Sequence, residues 1–93
     1  MVSVGLQTRV SPARDVVTRE CDSDLIVLDL QSGFCWQLNH TATALWTSLA
    51  AGKSAGETVS ALSQGLDVNP ERLQADTLAF VEQLLSAGLF TLA

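Results

Sequence analysis

Cys35, His40 and the aspartates Asp22, Asp24 and Asp29 are the side chains of this chain best suited to chemistry, and all fall within a short stretch. A Cys35 thiolate with His40 as its base would form a nucleophilic pair. The spacing argues against it. Cys35 stands in a strand-like run with no helix N-terminus to lower its thiol pKa. His40 follows Asn39 at the expected start of a helix, as an exposed first-turn residue with no nucleophile close in sequence. The three aspartates lie in or beside turns, where a short acidic side chain serves the backbone. Cys21, Cys35 and His40 complete the cysteine and histidine inventory, too few for a four-ligand zinc site or a disulfide framework. No glycine-rich phosphate loop, Gly-x-Ser-x-Gly or His-Glu-x-x-His occurs. The expectation is a protein that is not an enzyme, with no cofactor and no metal.

Composition narrows the partners. The 93 residues are 47% hydrophobic and 16% charged with a net charge of −5, the profile of a single folded domain over 1–93. Only Arg9, Arg14, Arg19, Lys53 and Arg72 are basic, and they are scattered, so nucleic acid is not expected as a partner. Met1 to Ser11 lacks the apolar core of a signal peptide, and no run of about 18 apolar residues suggests a membrane helix. A cytoplasmic, soluble protein is expected.

The elements that must position any site change period near residue 39. Val16-Val17-Thr18-Arg19-Glu20-Cys21 is β-rich and followed by the turn-forming Asp22-Ser23-Asp24. Leu25 to Leu30 is an apolar run, and Phe34 to Leu38 follows after Gln31-Ser32-Gly33. Strands are expected over 15–21, 25–30 and 34–38. With Gln31-Ser32-Gly33 as a three-residue connection, Leu30 faces Phe34, Leu28 faces Trp36 and Ile26 faces Leu38, all on the buried face. Leu25, Val27, Asp29, Cys35 and Gln37 then share the other face. Cys21 and Cys35 fall at opposite ends of the sheet, which disfavours a disulfide.

Three helices follow, over 40–51, 55–64 and 70–87. Asn39 caps the first, which carries Ala42, Leu45, Trp46 and Leu49 on one stripe and stops at Gly52. Ser54-Ala55-Gly56-Glu57 has capping-box spacing and opens a helix burying Val59 and Leu62. Asn69-Pro70 starts the third, with Leu73, Thr77, Phe80, Val81, Leu84 and Leu85, ending at Gly88. The order predicts an α+β, winged-helix-like domain: a three-stranded antiparallel meander followed by three helices. A winged-helix DNA-binding or regulatory domain is the alternative, with a recognition helix around Val59 and Leu62, but Lys53 is its only basic neighbour.

The third strand is an edge unless something covers it. Phe34-Cys35-Trp36-Gln37-Leu38 carries no lysine, glutamate or proline to discourage pairing. Cover by the long helix or a crossed dimer and capture of an extended peptide are equally compatible with the pattern. If Leu30 and Phe34 close the hairpin, the backbone groups of Phe34, Trp36 and Leu38 point inward and those of Cys35 and Gln37 point to the free edge.

The run Leu28-Asp29-Leu30-Gln31-Ser32-Gly33-Phe34-Cys35-Trp36-Gln37-Leu38-Asn39, then Ala44-Leu45-Trp46 and Leu84-Leu85-Ser86-Ala87-Gly88-Leu89, resembles the coenzyme PQQ synthesis protein D family, also called RiPP recognition elements. The resemblance covers about residues 15–90. The stretch Gly33 to Asn39 and the asparagine-proline start of the last helix are most similar to the stand-alone leader-binding subunit of split lasso-peptide leader peptidases. His40 departs from the proline frequent in the family at that position, which bears on the helix start. The resemblance implies a non-catalytic adaptor that binds the leader region of a ribosomally made precursor peptide and presents it to a separate cysteine protease subunit. It implies a leader strand added to Phe34, Cys35, Trp36, Gln37 and Leu38, in a groove shared with Leu73, Asp76, Thr77, Phe80, Val81 and Leu84 of the last helix.

Overall fold

Polar caps set where each helix begins in the computed structural model, which describes residues 4–22, 24–65 and 69–93. Strands β1 (Val10–Pro12), β2 (Val16–Cys21), β3 (Asp24–Asp29) and β4 (Cys35–Leu38) lead into helices α1 (His40–Ala50), α2 (Ala55–Gly65) and α3 (Pro70–Ser86), followed by β5 (Phe90–Leu92). Ser23 of the expected turn and Met1 to Ser3 of the expected amino-terminal stretch lie outside the described residues. The fold is α+β, with the antiparallel sheet β2-β3-β4 and the three helices in the predicted order.

The Asn39 side chain accepts the Ala42 N–H at 2.9 Å, and that of Asn69 accepts the Glu71 N–H at 2.8 Å with Pro70 at the first helical position. Gly52 and Gly88 adopt φ of 96° and 78°, and each ends its helix with a returning bond, from Lys53 N–H to Ser48 C=O and from Leu89 N–H to Leu84 C=O. The second of these turns drops Leu89 and Phe90 into the core.

Ser54 and Glu57 form the expected box. The Ser54 N–H donates to Glu57 Oε1 at 2.9 Å, and the Glu57 N–H donates to Ser54 Oγ at 3.1 Å. The Ser54 backbone bond, then the Ser54 hydroxyl and the charge of Arg9, hold the Glu57 carboxyl below its ordinary value of 4.5. A depressed folded-state pKa stabilises above the ordinary value, and that stabilisation is lost as pH falls through the folded value. Glu57→Gln keeps an acceptor but cannot titrate. Melting curves from about pH 6 to about pH 3 are therefore expected to show a shallower acid limb for the variant than for the wild type. α2 itself buries Ala55 and Thr58, whereas Val59 and Leu62 are only half-buried, and Val59 lines a separate groove with Leu6 and Gln74.

Two features depart from the sequence expectation. The β3–β4 hairpin has a four-residue connection, Leu30 to Gly33, so Asp29 rather than Leu30 meets Phe34. The Asp29 carboxylate accepts the Gln31 N–H at 3.0 Å and the Ser32 hydroxyl at 2.9 Å, while Gly33, at φ 78°, donates its N–H to the Asp29 C=O. The pairs are Leu25 with Leu38, Ile26 with Gln37, Val27 with Trp36 and Leu28 with Cys35. One residue of register turns β3 over: Leu25 and Val27 are buried, and Ile26 and Leu28 lie on the outer face. Leu30 and Phe34, expected to be inward, are 58% and 67% exposed. The second departure is a small sheet, β1 paired antiparallel with β5, which ties the two ends of the described chain together.

The core gathers Val10, Leu25, Val27, Leu38, Trp46, Leu49, Val81, Leu84, Leu89 and Phe90. Trp46 and Phe90 stack with ring centroids 4.5 Å apart, and Phe80 meets Phe90 edge-on at 6.5 Å. No helix among the described residues is long and apolar enough to cross a membrane.

Candidate functional site: an open strand edge beside a helical groove

β4 is the last strand of its sheet, and among the described residues no strand pairs with its other side. Its ladder can be followed from the hairpin. The Asp29 N–H donates to the Phe34 C=O at 2.9 Å, so the alternation of an antiparallel pair commits Phe34, Trp36 and Leu38 to β3. The N–H and C=O of Cys35 and Gln37 point outward. At the far end the Thr43 hydroxyl takes the Leu25 N–H at 3.1 Å and donates to the Leu38 C=O at 3.0 Å, locking the end of β4 to α1. On the outer face the Gln37 amide donates to Asp24 Oδ2 at 2.8 Å.

Where β4 ends, a groove of about 630 Å³ opens between the first turns of α1 and one face of α3. Asn39, Thr41, Ala42 and Leu45 form one wall. The other repeats at helical spacing along α3: Asn69, Arg72 and Leu73, then Asp76, then Ala79 and Phe80, then Gln83. Arg72 and Asp76 approach to 3.8 Å at its exposed rim. Phe80 on α3, which lines this groove, and Trp36 on β4 are both half-buried against the core.

The residues singled out from the sequence thus fall into three groups. Cys35 and Gln37 form the free backbone edge, with Trp36 and Leu38 on the inner face and Phe34 exposed at the hairpin end. Leu73, Asp76 and Phe80 line the groove. Thr77, Val81 and Leu84 are buried on the adjoining stripe of α3, and the buried Thr77 hydroxyl has no hydrogen-bond partner among the described residues. The groove also uses Arg72, Ala79, Gln83 and the α1 wall, which were not singled out. Extending the three-to-four spacing from Asp76 to Arg72 and from Phe80 to Gln83 would have reached the α3 members. On the α1 wall Ala42 and Leu45 read as members of the helix's apolar stripe and Thr41 as an ordinary first-turn residue, so none of them signals a groove.

The side chains suited to chemistry do not converge. Cys21 and Cys35 are free, exposed, and paired opposite Asp24 and Leu28 at opposite ends of the sheet. His40 is exposed at the start of α1. Among the described residues no group of three or more His, Cys, Asp or Glu could hold a metal ion. What the geometry offers a ligand is a free strand edge of main-chain donors and acceptors near a cleft lined by both apolar (Ala42, Leu45, Leu73, Ala79, Phe80) and polar side chains, the means by which an extended peptide is held.

Residues 24–89, more than half of the chain, match the family model described as coenzyme PQQ synthesis protein D (PqqD). No match is found among the curated proteins. Two solved structures are similar. TbiB1 in complex with the TbiA(beta) leader peptide shares 25% identity over 86% of this chain and 93% of its own, with a TM-score of 0.80. Lasso peptide synthetase B1 complexed with the leader peptide shares 27% identity over 91% of this chain and 98% of its own, with a TM-score of 0.78.

Proposed function

The chain belongs to the coenzyme PQQ synthesis protein D family, and from that membership we propose that it is a non-catalytic adaptor for the leader region of a ribosomally made precursor peptide. The leader adds as an antiparallel strand to β4, bonding the backbone of Cys35 and Gln37. Its side chains opposite Phe34, Trp36 and Leu38 turn inward toward Phe80, Leu73 and the α3 face. The adaptor then presents the leader to a separate cysteine protease that removes it, in a cytoplasmic lasso-peptide pathway.

The observation that carries this reading is the unpaired β4 edge, followed in the chain by a groove of mixed polarity between α1 and α3, in a chain similar to two leader-peptide complexes. Each main-chain bond to the edge contributes about 0.5–1.5 kcal/mol regardless of side chain, and the groove selects apolar side chains at alternate positions. A leader is thereby recognised while the core peptide that follows it varies.

Calorimetric titration with the leader of the precursor encoded beside this chain tests the proposal. Saturable one-to-one binding is expected, together with leader removal that requires both this chain and the peptidase. Leader removal by the peptidase at an unchanged rate without this chain would overturn the adaptor role.

A further inference from the structure

Residues 5–9, which precede β1 and lie outside the stretch matched by the family model, are bound along the start of α2 as a peptide would be. Gly5 and Thr8 close a turn: the Gly5 N–H donates to Thr8 Oγ1 at 2.9 Å, and the Thr8 N–H donates to the Gly5 C=O at 3.1 Å. Two carbonyls of this segment meet the helix. The C=O of Thr8 accepts the Ala55 N–H at 2.9 Å, and that of Leu6 accepts the Gly56 N–H at 2.8 Å. Ser54 Oγ takes the next donor, so residues 5–9 supply the acceptors that the first turn of α2 cannot find in its own helix. Gly56 admits the segment, since a Cβ there would stand 3.0 Å from the Leu6 carbonyl oxygen. Arg9 fastens the far end, donating to the Gly52 C=O at 2.6 Å and pairing with Glu57 at 2.9 Å.

This strap reaches the leader site through α3. Leu6 and Gln74 line a hollow of about 610 Å³ beside α2, and Leu73, the residue before Gln74, lines the groove that α3 shares with α1. α2 packs against α3, with Ala55 and Thr58 of its first turn wholly buried. The strap therefore holds the helix that stands behind one wall of the groove.

Resting on the proposed function, we infer that residues 5–9 are a regulatory strap for the leader site. Docked, the strap seats α2 against α3 and keeps the groove wall at Leu73 formed. Released, it leaves the N–H groups of Ala55 and Gly56 without their acceptors, the first turn of α2 loosens, and α3 no longer presents a fixed wall. Strap and leader favour each other, each docking more tightly in the presence of the other by the same factor. Withdrawal of the strap thus loosens bound leader.

The test follows amide exchange residue by residue in the full chain, with the leader of the precursor encoded beside it. In the wild type, saturating leader is expected to slow the Ala55 amide about fivefold or more, and the Gly56 amide with it, although neither residue lines the leader groove. The double variant Arg9→Ala/Gly56→Ala removes the fastening and fills the space beneath Leu6. Its amides at positions 55 and 56 are expected to exchange fast, and its leader affinity to fall about fivefold or more, while slow exchange at Trp36 and Leu38 confirms the fold. Bound leader that leaves the Ala55 and Gly56 amides of the wild type at their free-chain rates would overturn the inference. So would a double variant in which those amides exchange fast while leader affinity stays at the wild-type value. A wild-type chain that fails to bind leader would instead sink the proposed function, and this inference with it.

Discussion

A Gln37→Pro variant is expected to fold and to bind the leader about tenfold or more weakly than the wild type. Proline removes the Gln37 N–H, which the β4 register directs away from β3, and its ring occupies the space an incoming strand needs. Loss of one main-chain bond alone accounts for about 2- to 13-fold, and the obstruction adds to it. The internal ladder is spared because Phe34, Trp36 and Leu38 carry the bonds to β3. The substitution also removes the amide bond from Gln37 to Asp24, so Gln37→Ala is the control: it loses that bond and keeps the N–H. Calorimetric titration should find Gln37→Ala near the wild type and Gln37→Pro well below it. Equal affinity in the two variants would count against an added strand.

The largest effect on stability is expected from Phe90→Ala. Phe90 is 2% exposed, stacks on Trp46, meets Phe80 edge-on and sits in β5 where it pairs with Pro12. Removing so large a buried ring costs about 3–5 kcal/mol, a large share of the stability of a small domain. For about 90 residues this corresponds to a fall in Tm of at least about 12 °C in a melting experiment. Phe80 loses its support from behind, so leader affinity should fall as well. Phe34→Ala provides the contrast, because Phe34 is exposed at the hairpin and its removal should change stability by about 0.5 kcal/mol or less.

The helices were legible in the sequence because their signals are local. Asn39, the Ser54–Glu57 box, Asn69-Pro70, Gly52 and Gly88 each act within a turn or so of the residue that carries them. The alternation of β4 was equally clear, and Trp36 and Leu38 do face the core. β3 was inverted because its register depends on the length of one loop. Gln31-Ser32-Gly33 reads as a complete three-residue connection, and only the Asp29 carboxylate, bonding Gln31 and Ser32 from before the turn, makes a four-residue loop favourable. The free-edge positions survive the error because Phe34 closes the hairpin in either register, so the parity of β4 does not change.

β1 and β5 escaped notice for a different reason. Each has three residues, β1 ends in a proline, and they are separated by nearly the whole chain. No local pattern reports a pairing of that kind. On α3 the boundary between groove and core runs between adjacent residues, Asp76 and Thr77, then Phe80 and Val81. Hydrophobicity alone cannot divide a stripe whose two halves face different surroundings.

Residue-resolved amide hydrogen exchange, with and without saturating leader, tests strand addition most directly. In the free chain the amides of Trp36 and Leu38 should exchange slowly, held by β3, and those of Cys35 and Gln37 should exchange fast. Leader should slow Cys35 and Gln37 strongly and change Trp36 and Leu38 far less. Leader that saturates the protein while leaving Cys35 and Gln37 as fast as before would contradict an added strand at this edge.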